Sequence, residues 1–381
     1  VNLSIAIVGG GPGGLTLACL LRLHGMDAVV YEREPSRAAR GQGGMLDLHV
    51  DSGQRALREA GLEAEFLAVA RREGQDQRLL DHTGALLLQE DTPDDAPLLR
   101  PEVDRADLRD VLLGSLPEDA VVWGRAFRHA VPRPEGGHTL HFADGSTAVC
   151  DLLVGADGAS SRVRPLVTDV RPFHFGVNYV EIGIPDIDRT HPDLAAVLGR
   201  GNYWVMGPGQ SLSAQRNGDG RVRVYLGFYT PEDWFATCGV PFDDPARARA
   251  ALAELFAGWA PDVTALIRAC DDSVITRPLT MLPVGLTWPT TPGVTLIGDA
   301  AHLMPPAGEG VNMAMLDALE LALALVADPG DPAAAVARYE KEMFERTAPV
   351  AARCVRVTEV MMAPDGAQRI LRFFQGHGLG D

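Results

Sequence analysis

The sequence predicts a mixed α/β (α+β) fold: a parallel-sheet domain, an inserted and mainly antiparallel β domain, and a C-terminal helix. Three observations predict it. Short apolar runs followed by glycine-rich loops occur near both ends of the chain, at 3–8 and 294–297. Strand patterns dominate between about 170 and 284, and the pattern turns helical from 332 to 374.

Taken in order, Leu3 to Val8 reads as a buried strand, the glycines that follow as a turn, and Leu15 to Leu23 as a buried helix. Ala28 to Tyr31 is a second strand, so the chain opens on a βαβ unit of the Rossmann-like kind. A helical spacing of apolar residues runs from Ser52 to Ala70. Pro93, Pro97 and Pro101 interrupt the chain before a further helix near 105–116. Residues 120–154 alternate apolar and polar positions, with turns at 135–137 and 143–146, and end in a buried strand, Leu152 to Val154. The 170–284 section carries one predicted helix near 245–259. A last strand, Val294 to Ile297, precedes a glycine loop and a helix over 312–327. These readings place a discontinuous cofactor domain at 1–75, 98–168 and 285–328. The β insert falls at 76–97 and 169–284, and a bridging helical region at 329–381.

Lys and Arg number 34 against 51 Asp and Glu, a net charge of −17. That balance excludes a nucleic-acid partner, which requires a basic surface. Lys341 is the only lysine. Five scattered cysteines without a Cys-x-x-Cys pair form neither a disulfide framework nor a zinc site, and predict a reducing, cytoplasmic compartment. The N-terminal residues show no charged leader or cleavage site. The richest apolar stretch, 318–327, is broken by Glu320 and too short to span a bilayer, so no stable membrane insertion is expected.

Three motifs carry chemistry. Gly9, Gly11 and Gly14 satisfy G-x-G-x-x-G, with Pro12 and Gly13 between them and Glu32 closing the next strand. Such a loop turns tightly, lets backbone approach a pyrophosphate and aims a helix N-terminus at it, while the acid accepts from ribose hydroxyls. Asp157 lies in a Gly-Ala-Asp-Gly loop directly after a buried strand. Gly298-Asp299-Ala300-Ala301-His302 ends another strand and leads through Pro305 and Pro306 to Gly308, Glu309, Gly310, Val311 and Asn312 at a helix start. Its N–H groups can stabilise negative charge on a ligand ring. His302 has no second ligand at metal spacing and reads as a packing or hydrogen-bonding residue. His138 and His141 point to opposite faces of one strand, so no metal site is predicted.

In order and spacing, the three motifs resemble those of the class A flavoprotein monooxygenases, the para-hydroxybenzoate hydroxylase type. Within that family the chain is most similar to the tetracycline-inactivating monooxygenases. The likeness rests on Glu32-Arg33, Arg40, 43–49, 52–54, 105–109, 230–234 and 298–306. It implies FAD as cofactor, with NADPH or NADH as a transient reductant. It further implies FAD contacts from Arg33, Asp47 and Arg105, an NADPH contact from Arg40, ribityl contacts from Asp299, and residues 308–312 facing the flavin's pyrimidine edge. The activity implied is hydroxylation of an aromatic, phenolic or enolic small molecule with O2, through flavin C4a-hydroperoxide chemistry and with no side chain certain as catalytic.

Two departures bear on the substrate. The 305–310 loop is one residue shorter than in the relatives and carries Glu309 where they have Gln, so the space above the flavin differs. Glu181 and Tyr203-Trp204 stand where a glutamine and an arginine are expected. Glu181, Tyr203, Trp204, Met206 and Pro306 are the substrate-side candidates. Two alternatives stay open: a flavin oxidase, dehydrogenase or cyclising enzyme of the same fold, and a non-catalytic FAD- or ligand-sequestering protein. A related halogenase would need a lysine that Lys341 is too far along the chain to supply. The chain is expected to be a monomer or a homodimer.

Overall fold

A computed structural model describes residues 3–39, 43–270 and 274–378. The chain divides into two compact units, one of residues 1–70, 105–173 and 280–354, the other of 71–104, 174–279 and 355–381.

The first unit is built on a five-stranded sheet in the order Val294–Leu296, Leu152–Gly155, Ile5–Val8, Ala28–Tyr31 and Val121–Val122, with every pair parallel. Ile5–Val8, at its centre, is buried at all four positions, which is why this strand reads as an unbroken apolar run. Helix Pro12–Leu23 packs against helix Gly310–Ala327. Glycine makes that approach possible, since a Cβ on Gly13 would lie 3.1 Å from the Ala314 carbonyl oxygen. Three neighbouring strands, Ile5–Val8, Leu152–Gly155 and Val294–Leu296, lead at their carboxyl ends into the three motif loops. Parallel sheets place ligands at such ends.

The predicted helix over 52–70 is two helices, Gly53–Glu59 and Glu63–Val69. Gly61, at φ +73°, turns the chain between them through a conformation that other residues resist. The 120–154 excursion forms the three-stranded antiparallel sheet Phe127–Pro132, His138–Phe142 and Thr147–Cys150.

The apolar stretch at 318–327 is part of an 18-residue helix, Gly310–Ala327, which by length and composition is apolar enough to cross a membrane. It is nonetheless mostly buried inside the protein and carries Asn312 and Asp317, both fully buried. Those two polar groups mark it as a core helix.

The second unit is built on a seven-stranded sheet ordered Ile275–Met281, Phe173–Ile184, Val222–Tyr229, Gln210–Arg216, Asn202–Gly207, Gln77–Asp81 and Leu86–Glu90. Phe173–Ile184, Val222–Tyr229, Gln210–Arg216 and Asn202–Gly207 pair antiparallel in that succession, and Asn202–Gly207 runs parallel to Gln77–Asp81. Val180, Ile182, Tyr203, Val205, Leu212, Val224 and Leu226 pack with Leu252, Phe256 and Leu266 into its core. Those last three come from two helices, Pro245–Leu255 and Pro261–Ala269, and from Phe256 that ends the first; the sequence reading had one helix there. Residues 329–381 form helices Pro332–Met361 and Gly366–Phe374, and are divided between the units at 354/355.

Candidate cofactor site

The glycine loop is shaped by steric necessity. Gly9 has φ +113°, and a Cβ there would collide with the Ala156 carbonyl. A Cβ on Gly14 would collide with the Gly9 carbonyl oxygen, whereas one on Gly11 would meet nothing within 4 Å. Gly9 and Gly14 therefore fix the turn, and Gly11 is open to an approaching phosphate. Pro12 occupies the first helical turn, where a missing N–H costs nothing. Glu32 is buried and both its oxygens hold backbone: Oε2 accepts from Gly10 N at 2.5 Å and Oε1 from Glu34 N at 3.0 Å. Each oxygen keeps a second lone pair for a ribose hydroxyl. Arg33 is exposed, and Arg40 lies outside the described residues.

The second loop folds around Asp157, whose carboxylate accepts from Ser161 Oγ (2.6 Å), Arg162 N (2.7 Å) and Val163 N (3.3 Å). Burial pushes this carboxyl above the usual range against the pull of those three donors. Asp157 thus shapes its own loop. Arg164, which the motif contains but the sequence reading passed over, is the clamp between loops. Its guanidinium donates to Ala159 O (2.9 Å) on one side, and to Ala300 O (2.7 Å) and Asp299 O (3.0 Å) on the other.

In the third loop, Gly298 takes φ +60° and donates its N–H to Asp317 Oδ2 at 2.9 Å. Asp317 is the residue sequence reasoning missed. Fully buried, it also receives His302 Nε2 at 2.5 Å and Arg346 at 2.8 Å. Burial works against its charge, but His302, Arg346 and the Gly298 N–H hold its carboxyl below the usual range. Burial likewise opposes protonation of His302, yet the Asp317 carboxylate with Asp299 raises its pKa. His302 is accordingly a hydrogen-bonding residue beneath the loop. The signal was in view: an acid inside an apolar helix needs a buried partner.

Asp299 differs from every other acid of the site. Among the described residues no hydrogen bond reaches its carboxylate; burial pushes it up, and His302, Arg105 and Arg164 pull it the other way. Arg105 also packs within 2.9 Å of where a Cβ on Gly43 would stand. Pro305 is buried, Pro306 and Gly308 are exposed, and Gly308 has φ +81°. Asn312 ties this loop to the 47–53 segment. Its Nδ2 donates to Asp47 O (2.8 Å) and Gly308 O (3.0 Å), and its Oδ1 accepts from His49 N (2.8 Å), Ser52 Oγ (3.1 Å) and Gly53 N (3.3 Å). With both ends of its amide spent on the loop, Asn312 orders the site, and Gly310 and Val311 stand in the first helical turn, whose N–H groups have no partner within the helix. A carboxylate without donors, an open glycine and a helix start together suit a ligand carrying pyrophosphate, hydroxyls and a ring that takes up negative charge.

Of the second unit's substrate-side candidates, the strand registers put Glu181, Trp204 and Met206 on one face of the sheet and Tyr203 on the other. Both oxygens of Glu181 are committed, to Arg223 at 2.6 Å and Arg277 at 2.6 Å, because the flanking strands place a guanidinium on each side. Tyr203 lies in the core with Val205, and burial pushes its hydroxyl to about 12. Trp204 and Met206 alternate to the opposite side of the strand: Trp204 donates to Gln77 Oε1 at 2.9 Å, and Met206 packs with Leu79, Val360 and Ile370. Glu181, Tyr203 and Met206 each have structural partners within the second unit.

A family model described as "FAD binding domain" matches residues 2–231 and 290–356. The chain is 34% identical over 375 residues to Monooxygenase asqM of Emericella nidulans, covering 84% of this chain and 83% of that protein. It is 32% identical over 380 residues to the 3-amino-4-hydroxybenzoate 2-monooxygenase of Streptomyces cremeus, covering 96% and 90%. The fold is shared with Klebsiella pneumoniae HpxO, solved with FAD and uric acid. There the TM-score is 0.80 at 24% identity, over 99% of this chain and 93% of that one.

Proposed function

The chain belongs to the FAD-binding-domain family and is a FAD-dependent monooxygenase, and from that premise we propose that it hydroxylates an electron-rich aromatic, phenolic or enolic small molecule with NAD(P)H and O2. The observation that carries this reading is the set of three glycine-bearing loops at neighbouring strand ends of one parallel sheet, the third of which presents Asp299, a half-buried carboxylate that receives no hydrogen bond among the described residues.

When bound, FAD supplies the redox and oxygen chemistry. The chain's own residues bind and orient it. Gly9, Gly11, Gly13 and Gly14 with the helix start behind them receive the pyrophosphate, Glu32 the ribose, and Asp299 the ribityl hydroxyls. Pro305 and Gly308 shape the loop that aims the Gly310 and Val311 N–H groups at the flavin ring. Arg105 offsets the Asp299 charge, Asp157 and Arg164 hold the loops in register, and Asp47 anchors Asn312 through its carbonyl. Arg33, exposed just beyond the second strand, is placed to contact FAD.

The narrower form of the reading, a polycyclic and tetracycline-like substrate, is supported by the motifs at 43–49, 105–109, 230–234 and 298–306. The Streptomyces relative, named for a monocyclic aminohydroxybenzoate, supports a smaller one. Five free thiols accord with a cytoplasmic site of action. The test is NAD(P)H consumption by the FAD-loaded protein across a panel from aminohydroxybenzoates to polycyclic enols, with product masses. Substrate-stimulated consumption and a product heavier by one oxygen are expected. Consumption with no product carrying added oxygen, across the whole panel, overturns the proposal.

A further inference from the structure

Glu309 stands directly before the first residue of helix Gly310–Ala327, is 8% exposed, and makes no capping hydrogen bond with its side chain. Its Oε1 is held instead by the guanidinium of Arg353, from helix Pro332–Met361. On the other side, Glu309 Oε2 lies 3.7 Å from His49 Nδ1, and His49 Nε2 lies 3.0 Å from Asp47 Oδ2. The carboxylate is thus set between a cation that is 49% exposed and an imidazole that leads to a second carboxylate.

The electrostatic consequence follows from magnitudes. A helix start carries roughly half an elementary positive charge, which favours the negative charge that reduction adds to a flavin ring. A full carboxylate charge at the same place opposes it and, unpaired, would win. Arg353 supplies the charge that cancels it. We propose that the Glu309–Arg353 ion pair sets the reduction potential of the bound FAD: Arg353 shields the ring from Glu309, and the helix start stays electropositive because the pair is intact. The proposal rests on the reading above that residues 308–312 face the flavin, and deepens it by naming the residues that tune its charge.

The experiment uses the FAD-loaded full chain and reads the two-electron midpoint potential by equilibration with a reference dye. Arg353→Gln is expected to weaken binding of reduced relative to oxidised FAD by tenfold, a fall of about 30 mV. Glu309→Gln is expected to move the potential the opposite way, and the double variant to return toward the parent value. Arg353→Lys, which keeps the charge, should hold the parent potential. A purely structural role would lower thermal stability or FAD affinity without shifts of opposite sign. Absence of a shift in both single variants overturns the proposal, as does a shift of the same sign in both. The placement of the loop is read independently from the absorption bands of bound FAD in Gly308→Ala. If those bands move while the potentials stay fixed, the charge proposal alone fails; if neither changes, the placement fails with it.

Discussion

The charge cluster around Asp317 in the first unit and the one around Glu181 in the second are built differently. In the first, Asp317 pairs with His302 and Arg346 and also holds the Gly298 N–H, while Asp157 and Arg164 bind the backbone of the second and third loops. In the second, Glu181 is enclosed by Arg223 and Arg277 on neighbouring strands, and its triad fixes side chains on a sheet whose backbone is already paired. The Asp317 cluster shapes a place for a ligand and the Glu181 triad ties strands together, although Asp76 and Asp104 of the second unit also hold backbone, at Thr92 and Gly218.

That contrast is broken most severely at Asp317. Asp317→Ala leaves His302 and Arg346 without their buried anion, and a loss of about 3–5 kcal/mol is expected, measured by urea unfolding. The pH dependence has a definite sign. His302 has its pKa raised in the folded state from 6.5, so its contribution is complete below that value and is lost as pH rises through the folded value. Asp317 is lowered from 3.8, so its contribution is present above that value and is lost as pH falls through the folded one. The parent protein should lose stability on both sides, and Asp317→Ala should flatten both limbs. A variant that keeps the alkaline limb would assign it to another group.

Glycine gives the next largest test. In Gly14→Ala the new methyl meets the Gly9 carbonyl oxygen, which is backbone. A cost of about 3 kcal/mol is expected, the upper end for overpacking, with FAD no longer co-purifying. In Gly227→Ala, on the second unit's sheet, the methyl meets Ser211 Oγ, Met362 Cε at 2.8 Å and Tyr179 Cε1 at 2.9 Å, which are side-chain atoms. They can turn aside, so about 1 kcal/mol is expected with flavin retained. Equal costs would erase the distinction between backbone-limited and side-chain-limited glycines.

The same distinction explains what was legible in the sequence. Gly9, Gly14, Asp157 and Gly298 could be read because a backbone that must turn or approach closely admits few residues, and those residues recur at fixed spacing. Arg164 and Asp317 are less legible, since the third-loop partners of Arg164 lie 135 and 136 residues away and those of Asp317 up to 29, yet a charge in an apolar helix was a usable clue. The break at Gly61 was hidden because apolar spacing continues across it. The substrate-side candidates meet a simpler limit. Adjacent residues of a strand face opposite ways, so Tyr203, Trp204 and Met206 could never have lined one wall together. Glu181 could be weighed only once its flanking strands, carrying Arg223 and Arg277, were known.

Within the second unit the triad outweighs any hydroxyl. Glu181→Gln leaves Arg223, mostly buried, and Arg277, half exposed, without a carboxylate; solvent screening of Arg277 limits the expected loss to about 2 kcal/mol. Equilibrium unfolding should show it with bound FAD unchanged.

Tyr203→Phe is the smallest and most discriminating change. Tyr203 is 2% exposed in the core beside Val205. Burial pushes its hydroxyl to about 12, so it stays protonated throughout the working range. Removing that oxygen leaves the ring packing intact, and a change within about 1 kcal/mol is expected, with KM and kcat unaltered for whichever substrate the panel identifies. A substrate-binding hydroxyl would raise KM on removal. Such a rise would return Tyr203 to the substrate wall and show that the second unit, like the first, spends a buried polar group on its ligand.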